Sequence, residues 1–174
     1  VYKKREEKTG PSARILHRNK YVSTILQPFS IHNNSYCMYI KSNKELWDRC
    51  ISHKECIFRR FRTDTSVLYG MCYAGIEEYI FPVTYNGNLI ALLHAGSFCT
   101  DENKAKKRIS KIAKRYKLDE ELLIKNYLET VKKDIPDRKV ITTLLSAAAI
   151  CIASTFSYIK TKVNDIKYNS QLSY

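Results

Sequence analysis

The sequence predicts an α+β domain, an antiparallel sheet flanked by helices and closed by a long C-terminal helix. Three observations predict it. Strand patterns between Ser66 and Phe98 are joined by Asn86 and Gly87, a dipeptide suited to a two-residue hairpin turn because it accepts positive φ at both positions. Amphipathic helical patterns stand on both sides of that stretch. No internal repeat or linker divides the 174 residues, a length that can bury one core. Helices before and after a single antiparallel sheet make the α+β class. A single domain over 1–174 is therefore expected, with its core at about 35–135. Residues 136–174 would form the C-terminal helix and a connection to a neighbouring domain.

The elements follow in order. The first thirty residues mix charge with scattered apolar positions and give no clear element. Ser35 to Lys41 (SYCMYIK) alternates and reads as a strand. Ser42 and Asn43 offer helix caps, with Glu45 at the capping-box distance from Ser42. A helix is predicted from about Asn43 to Arg62, its apolar stripe being Trp47, Cys50, Ile51, Ile57, Phe58 and Phe61. Asp64 and Thr65 mark a turn. Ser66 to Cys72, Glu77 to Tyr85 and Asn88 to Phe98 read as strands. The last is almost continuously apolar, which predicts cover on both faces. Pro82 predicts an edge position or a bulge, because it has no N–H to donate. Thr100 caps a helix running to about Tyr116, and Leu118-Asp119-Glu120 opens another, to about Lys132. Pro136 fits the first turn of a long helix ending near Lys162.

Composition narrows the function classes. Hydrophobic residues at 44% and charged residues at 27% fit a soluble globular chain and exclude fibrous and low-complexity classes. The opening VYKKREEKTG is not a signal peptide, so the six cysteines are read as reduced thiols in a cytoplasmic protein. Starting at Val1, the chain is read as a possible fragment. The net charge of +13 favours anionic partners, although residues of AT-rich codons explain part of it. The basic helix from Asn103 to Lys117 reads as an amphipathic helix with a solvated face. Its sharper reading is salt-dependent contact with phosphates. Val140 to Ile159 is uncharged and long enough to span a bilayer. Its Ala, Ser and Thr content favours a buried or dimer-forming helix instead.

The stretch GMCYAGIEEYIFPV, Gly70 to Val83, is the most informative for chemistry. Gly70, Ala74 and Gly75 leave room beside the backbone, and Cys72, Tyr73 and Glu78 place polar atoms next to it. Apolar walls with a few polar groups are how small-molecule sites are built. A plain glycine-containing bend between core strands accounts for the same residues equally well. Cys50, His53 and Cys56 share one helix, with Cys72 near by; thiolates and imidazole suit Zn²⁺. No C-x-x-C pair occurs, so no metal and no cofactor is expected. Cys72, His94 and Glu78 could form a nucleophilic set. Nothing in the spacing brings them together, so no enzyme is expected.

From about Leu46 to Phe98 the chain resembles the PocR sensory domain, a PAS-like ligand-binding module found in AraC-type regulators. The resemblance rests on WDRCISHKEC, on CYAGIEEYIFPV with its Cys-x-x-Gly and central Pro, and on NGNLIALLHAG. It implies a PAS-like sheet with a pocket between sheet and helix, and recognition of small organic molecules such as diols. On this reading the ligand lies against Trp47, Cys50, Tyr69, Cys72, Tyr73, Glu78 and His94. Trp47 and Tyr69 would supply apolar surface; Tyr73, Glu78 and His94 would supply hydrogen bonds. The expected partners are a small metabolite, DNA through a neighbouring helix-turn-helix domain, and a second copy through the last helix, with no membrane. The alternatives are a basic nucleic-acid-binding module and a thiol- or metal-dependent enzyme.

Overall fold

A computed structural model describes residues 12–17, 34–62, 64 and 66–172. Thr65 and most of the first thirty-three residues lie outside that set. At the centre is the hairpin of β3 (Glu77–Tyr85) and β4 (Asn88–Phe98), whose limits are those read from the sequence. Asn86 and Gly87 both have positive φ, at 49° and 73°, as a tight turn between right-twisted strands needs.

Two further strands complete the sheet. β1 (Ser12–His17) pairs antiparallel with β4, Ser12 opposite Gly96 and His17 opposite Ala91. β2 (Leu68–Met71) pairs with the start of β3, Leu68 opposite Ile80. The strand order is β1-β4-β3-β2, so β4 is an inner strand. That position explains its apolar run. β1 was not legible in the sequence, and β2 is shorter than Ser66 to Cys72. The pairing with β2 reaches only as far as Ile80, so Pro82 has β4 on one side only, and its missing N–H breaks no ladder with β2.

Five helices surround the sheet among the described residues: α1 (Ser35–Lys41), α2 (Lys44–Arg60), α3 (Glu102–Tyr116), α4 (Glu120–Thr130) and α5 (Arg138–Leu172). α2 covers one face of the sheet, packing Ile57, Phe58 and Phe61 on Ile80 and Leu92. α5 covers the other, setting Ile141, Leu145, Ala149 and Phe156 against Tyr79, Val83, Ala91 and Leu93. α1, α3 and α4 build a separate cluster beside the sheet around Tyr36, Ile40, Leu46, Ile109, Leu123 and Tyr127. The arrangement is an α+β fold with a long C-terminal helix.

Several elements differ from the sequence reading for identifiable reasons. Ser35 to Lys41 is a helix, not a strand. Asn34 caps it by accepting from the Cys37 N–H at 2.7 Å, and the buried set is Tyr36, Cys37 and Ile40, while Met38 faces out. Seven residues are too few to separate period 2 from period 3.6 when both leave Tyr36 and Ile40 inside. In α2 the inward residue of the first turn is Leu46, completely buried, and the cap is Asn43. Trp47, one position on and about 100° round the axis, is 46% exposed, as is Ile51 at 45%. The α3 cap is Asp101, which accepts from the Lys104 N–H at 2.9 Å; Thr100 turns to Glu77 instead. α5 runs ten residues past Lys162.

β3 and β4 also carry two irregularities. Glu78 lies opposite Gly96 but Glu77 lies opposite Phe98, so Ser97 is an extra residue, and its φ of 70° marks the bulge. The Ser97 carbonyl is used by the Lys132 N–H at 2.7 Å, which ties the end of the sheet to the chain after α4.

Candidate ligand-binding cavity

The bend after β2 is built by its own backbone. The Cys72 N–H donates to the Ile76 carbonyl at 2.7 Å, and the Gly75 N–H returns to the Cys72 carbonyl at 3.1 Å. Gly75 takes φ 93°, which a residue with a Cβ rarely adopts. Two buried phenols clamp the outside of this bend. Tyr36 donates to the Ala74 carbonyl at 2.5 Å and Tyr127 to the Gly75 carbonyl at 2.8 Å. The backbone is thereby held away from the space in front of it.

That space is a cavity of about 30 Å³ between α1, α2, the bend and the sheet. A site needs roughly 10–15 Å³ by this measure for one water, so the room suits a guest of a few heavy atoms. Cys37, Ile40, Cys50, Ile57, Cys72 and Ala74 give it an apolar wall. Glu78 and His94 supply its buried polar end, and His53, Lys41 and Lys54 are half-exposed lining residues.

The polar end holds a close pair of titratable side chains. His94 is 2% exposed, and its Nδ1 lies 3.2 Å from Glu78 Oε2. That approach is off hydrogen-bond alignment, and neither ring nitrogen has a bonded partner among the described residues. Leaving a buried polar group unbonded costs about 1–3 kcal/mol, which a hydroxyl or carbonyl guest would relieve. Burial lowers the His53 pKa from its usual value, against the opposing pull of Glu78, so this ring is held neutral at pH 7.

Of the residues expected to touch a ligand, Cys50, Cys72, Tyr73, Glu78 and His94 line the cavity, and Trp47 and Tyr69 do not. Trp47 faces outward beneath the Lys41 ammonium, 5.6 Å from its ring centre. Tyr69 is on the opposite face of the sheet, its ring tilted against Tyr79 with centres 4.5 Å apart and its hydroxyl donating to Glu77 at 2.6 Å. Strand register decides this, since Tyr69 lies opposite Tyr79 and not opposite Glu78. The Tyr73 hydroxyl proton is also engaged, donating to the Leu46 carbonyl at 2.8 Å, so the residue offers a guest an acceptor and a ring edge. Cys37, Ile40 and Ile57 also line it and were not among the expected contacts, whereas Ala74 had been read as leaving room there. The first two lay in the segment read as a strand.

Cys72, His94 and Glu78 do share this wall. Part of Cys72 reaches the surface, yet burial of the thiol, reinforced by the Glu78 carboxylate, pushes its pKa up to about 12. A thiol held protonated is a poor nucleophile. All six cysteines are free. Cys56 is exposed and away from the cavity. Among the described residues no three His, Cys, Asp or Glu side chains are grouped to hold a metal ion.

Comparison with known proteins adds one result. Searches of curated proteins and of solved structures gave no match. A family model described as the sensory domain found in PocR matches residues 6–155. The match extends well beyond the Leu46 to Phe98 segment on which the resemblance rested. It takes in the sheet, the cavity wall and the first half of α5. The chain therefore belongs to the family of sensory domains found in PocR.

Proposed function

We propose that this domain senses a small, uncharged organic molecule in the cytoplasm and passes its binding to a helix-turn-helix neighbour of the AraC type. The observation that carries the reading is the cavity itself, with a buried imidazole lacking hydrogen-bond partners at its end and apolar walls around it. Its size favours short alcohols, diols and aldehydes. Binding energy favours the state in which the cavity is closed on its guest, and α5 is the element that reaches beyond the matched domain. The domain is read as a binding module, supported by its membership of a family of sensory domains and by a buried Cys72 thiol poorly suited to act as a nucleophile.

The test is a thermal-shift screen with short alcohols, diols and aldehydes. A ligand at a hundredfold excess over its Kd adds about 2.7 kcal/mol, or roughly 5–10 °C in Tm for a domain of this size. Cys50→Met, which adds bulk to the half-buried cavity wall, should abolish the shift without lowering the starting Tm. If none of these compounds raises the Tm, or if Cys50→Met responds like the parent, the reading fails.

The sensor is proposed to work as a homodimer through α5, with no membrane contact. Val140, Leu144, Ile150 and Tyr158 are 55–65% exposed on the side of α5 turned away from the sheet. Val140, Leu144, Ala147, Cys151, Ser154 and Tyr158 recur at alternating steps of four and three, the spacing of a coiled-coil seam. All of them are exposed. The helix continues to Leu172, past the matched domain, and a lone helical extension of that kind is marginal without a partner. Arg138–Asp165 is also long and apolar enough to cross a membrane. Packing of its Ile141 face on the sheet favours the second copy. Leu144→Glu should convert a dimer to a monomer in sedimentation at micromolar protein. Recovery of the unmutated chain only in detergent, or as a monomer, would overturn this.

A nucleic-acid-binding module is the second reading, favoured by the +13 charge and the basic face of α3. Duplex binding by this domain alone in a salt-titrated gel shift would support it.

A further inference from the structure

We propose that the cleft between α2 and α3 is a second binding site, for a compact, multiply charged phosphate compound of nucleotide size. Arg49 from α2, Tyr73 from the bend, and Arg108, Lys111, Arg115 and Tyr116 from α3 line it. The cleft is open to solvent and offers about 510 Å³, within the range of roughly 300–1,000 Å³ typical of small-molecule sites. Four cations face this space, and no carboxylate lines it.

The cations are oriented without being neutralised. The Arg108 guanidinium donates to the Cys72 carbonyl at 2.9 Å. Arg49 sits 5.2 Å over the Tyr73 ring, and Arg115 sits 5.5 Å over the Tyr116 ring. A carbonyl and two ring faces fix three guanidinium planes and leave their charge unspent. Among the described residues, none of these four cations pairs with a carboxylate. Nearby Lys106 and Lys133 do, both on Glu102 at 2.6 and 2.7 Å. Converging, uncompensated guanidinium forks match the geometry of phosphate oxygens.

The charges come from two helices, and Arg108 is held to the Cys72 carbonyl of the bend. A second open depression along α3, lined by Lys104 and Lys107, also takes in the Asp101 carboxylate, which opposes an anion there. A molecule carrying its phosphates on a short chain reaches the cations of both helices. The site is separate from the inner cavity in charge and in volume, yet His53 and Tyr73 line both. An occupant of the cleft therefore presses on the outer side of the sensor wall. The proposal does not rest on the cavity holding a metabolite.

Calorimetric titration of the whole chain tests it, with ATP, tripolyphosphate and adenosine as probes at about 150 mM salt to screen loose surface attraction. ATP and tripolyphosphate should each saturate a single site, and adenosine should not bind. Arg49→Ala and Arg115→Ala, both at exposed positions, should each weaken ATP binding about tenfold or more with Tm unchanged. Lys104→Ala and Lys107→Ala in the neighbouring depression should change it less than about twofold. Cys50→Met should bind ATP like the parent, which separates failure of this site from failure of the inner cavity. Lack of saturation, equal losses from the Lys104 or Lys107 variants and the cleft variants, tight adenosine binding, or duplex binding indifferent to Arg49 and Arg115 would each overturn the proposal.

Discussion

Gly96→Ala should be the most damaging single-methyl change in the domain, lowering stability by about 3 kcal/mol or more. A Cβ at this position would come 2.4 Å from the Glu78 Cβ and 2.9 Å from both the Glu77 carbonyl and the Glu78 Cα. Two of those contacts are backbone, so no side-chain rotation relieves them. Gly96 is also paired on both sides, with Ser12 on β1 and Glu78 on β3, so β4 cannot shift away from one neighbour without pressing the other. The expected Tm loss is roughly 6–12 °C. Because Glu78 would be pushed from its place beside His94, ligand shifts should vanish as well. A melting curve within about 2 °C of the parent would show that the strands separate freely there.

Glu77→Ala is expected to cost about 2–3 kcal/mol, although the residue never touches the cavity. Its carboxylate is 4% exposed and joins three elements. Oε2 accepts from the Tyr69 hydroxyl on β2 at 2.6 Å and from the Thr100 N–H at 3.2 Å. The Thr100 hydroxyl, just before α3, donates to Oε1 at 2.7 Å. Alanine strands these donors in a mostly dry corner. Glu77→Gln keeps an acceptor oxygen there and should restore about half of the loss. Equal melting temperatures for the alanine variant and the parent would show that water replaces the carboxylate without cost. Glu78→Ala makes the useful contrast, since it should spare the β2–α3 link and remove the polar end of the cavity.

The neighbouring glutamates show what a linear pattern leaves open. Two adjacent carboxylates on a strand point to opposite faces, and the choice between them is one of register. The reading that favoured Glu78 for the cavity rested on its place in a glycine-rich stretch. The structural role of Glu77 needs Tyr69 and Thr100, eight and twenty-three residues away, and no local signal announces it. His94 has the same character. Its burial beside Glu78, 3.2 Å away under the cover of α2, comes from the packing of distant segments.

Local chemistry by itself determined the β3–β4 hairpin, its turn, the helix–loop–helix of α3 and α4, and the basic face of α3. Positive φ at Asn86 and Gly87, caps at Asp101 and Asp119, and helical apolar spacing are all properties of residues close in the chain. Tertiary structure alone decided that 35–41 coils into a helix, that Leu46 and not Trp47 points inward, and that Tyr69 falls on the far face of the sheet. It also decided that Arg49 meets the α3 arginines across a cleft. Those outcomes depend on which surfaces were available to bury an apolar side chain or to orient a charge. Such surfaces exist only after distant segments have packed.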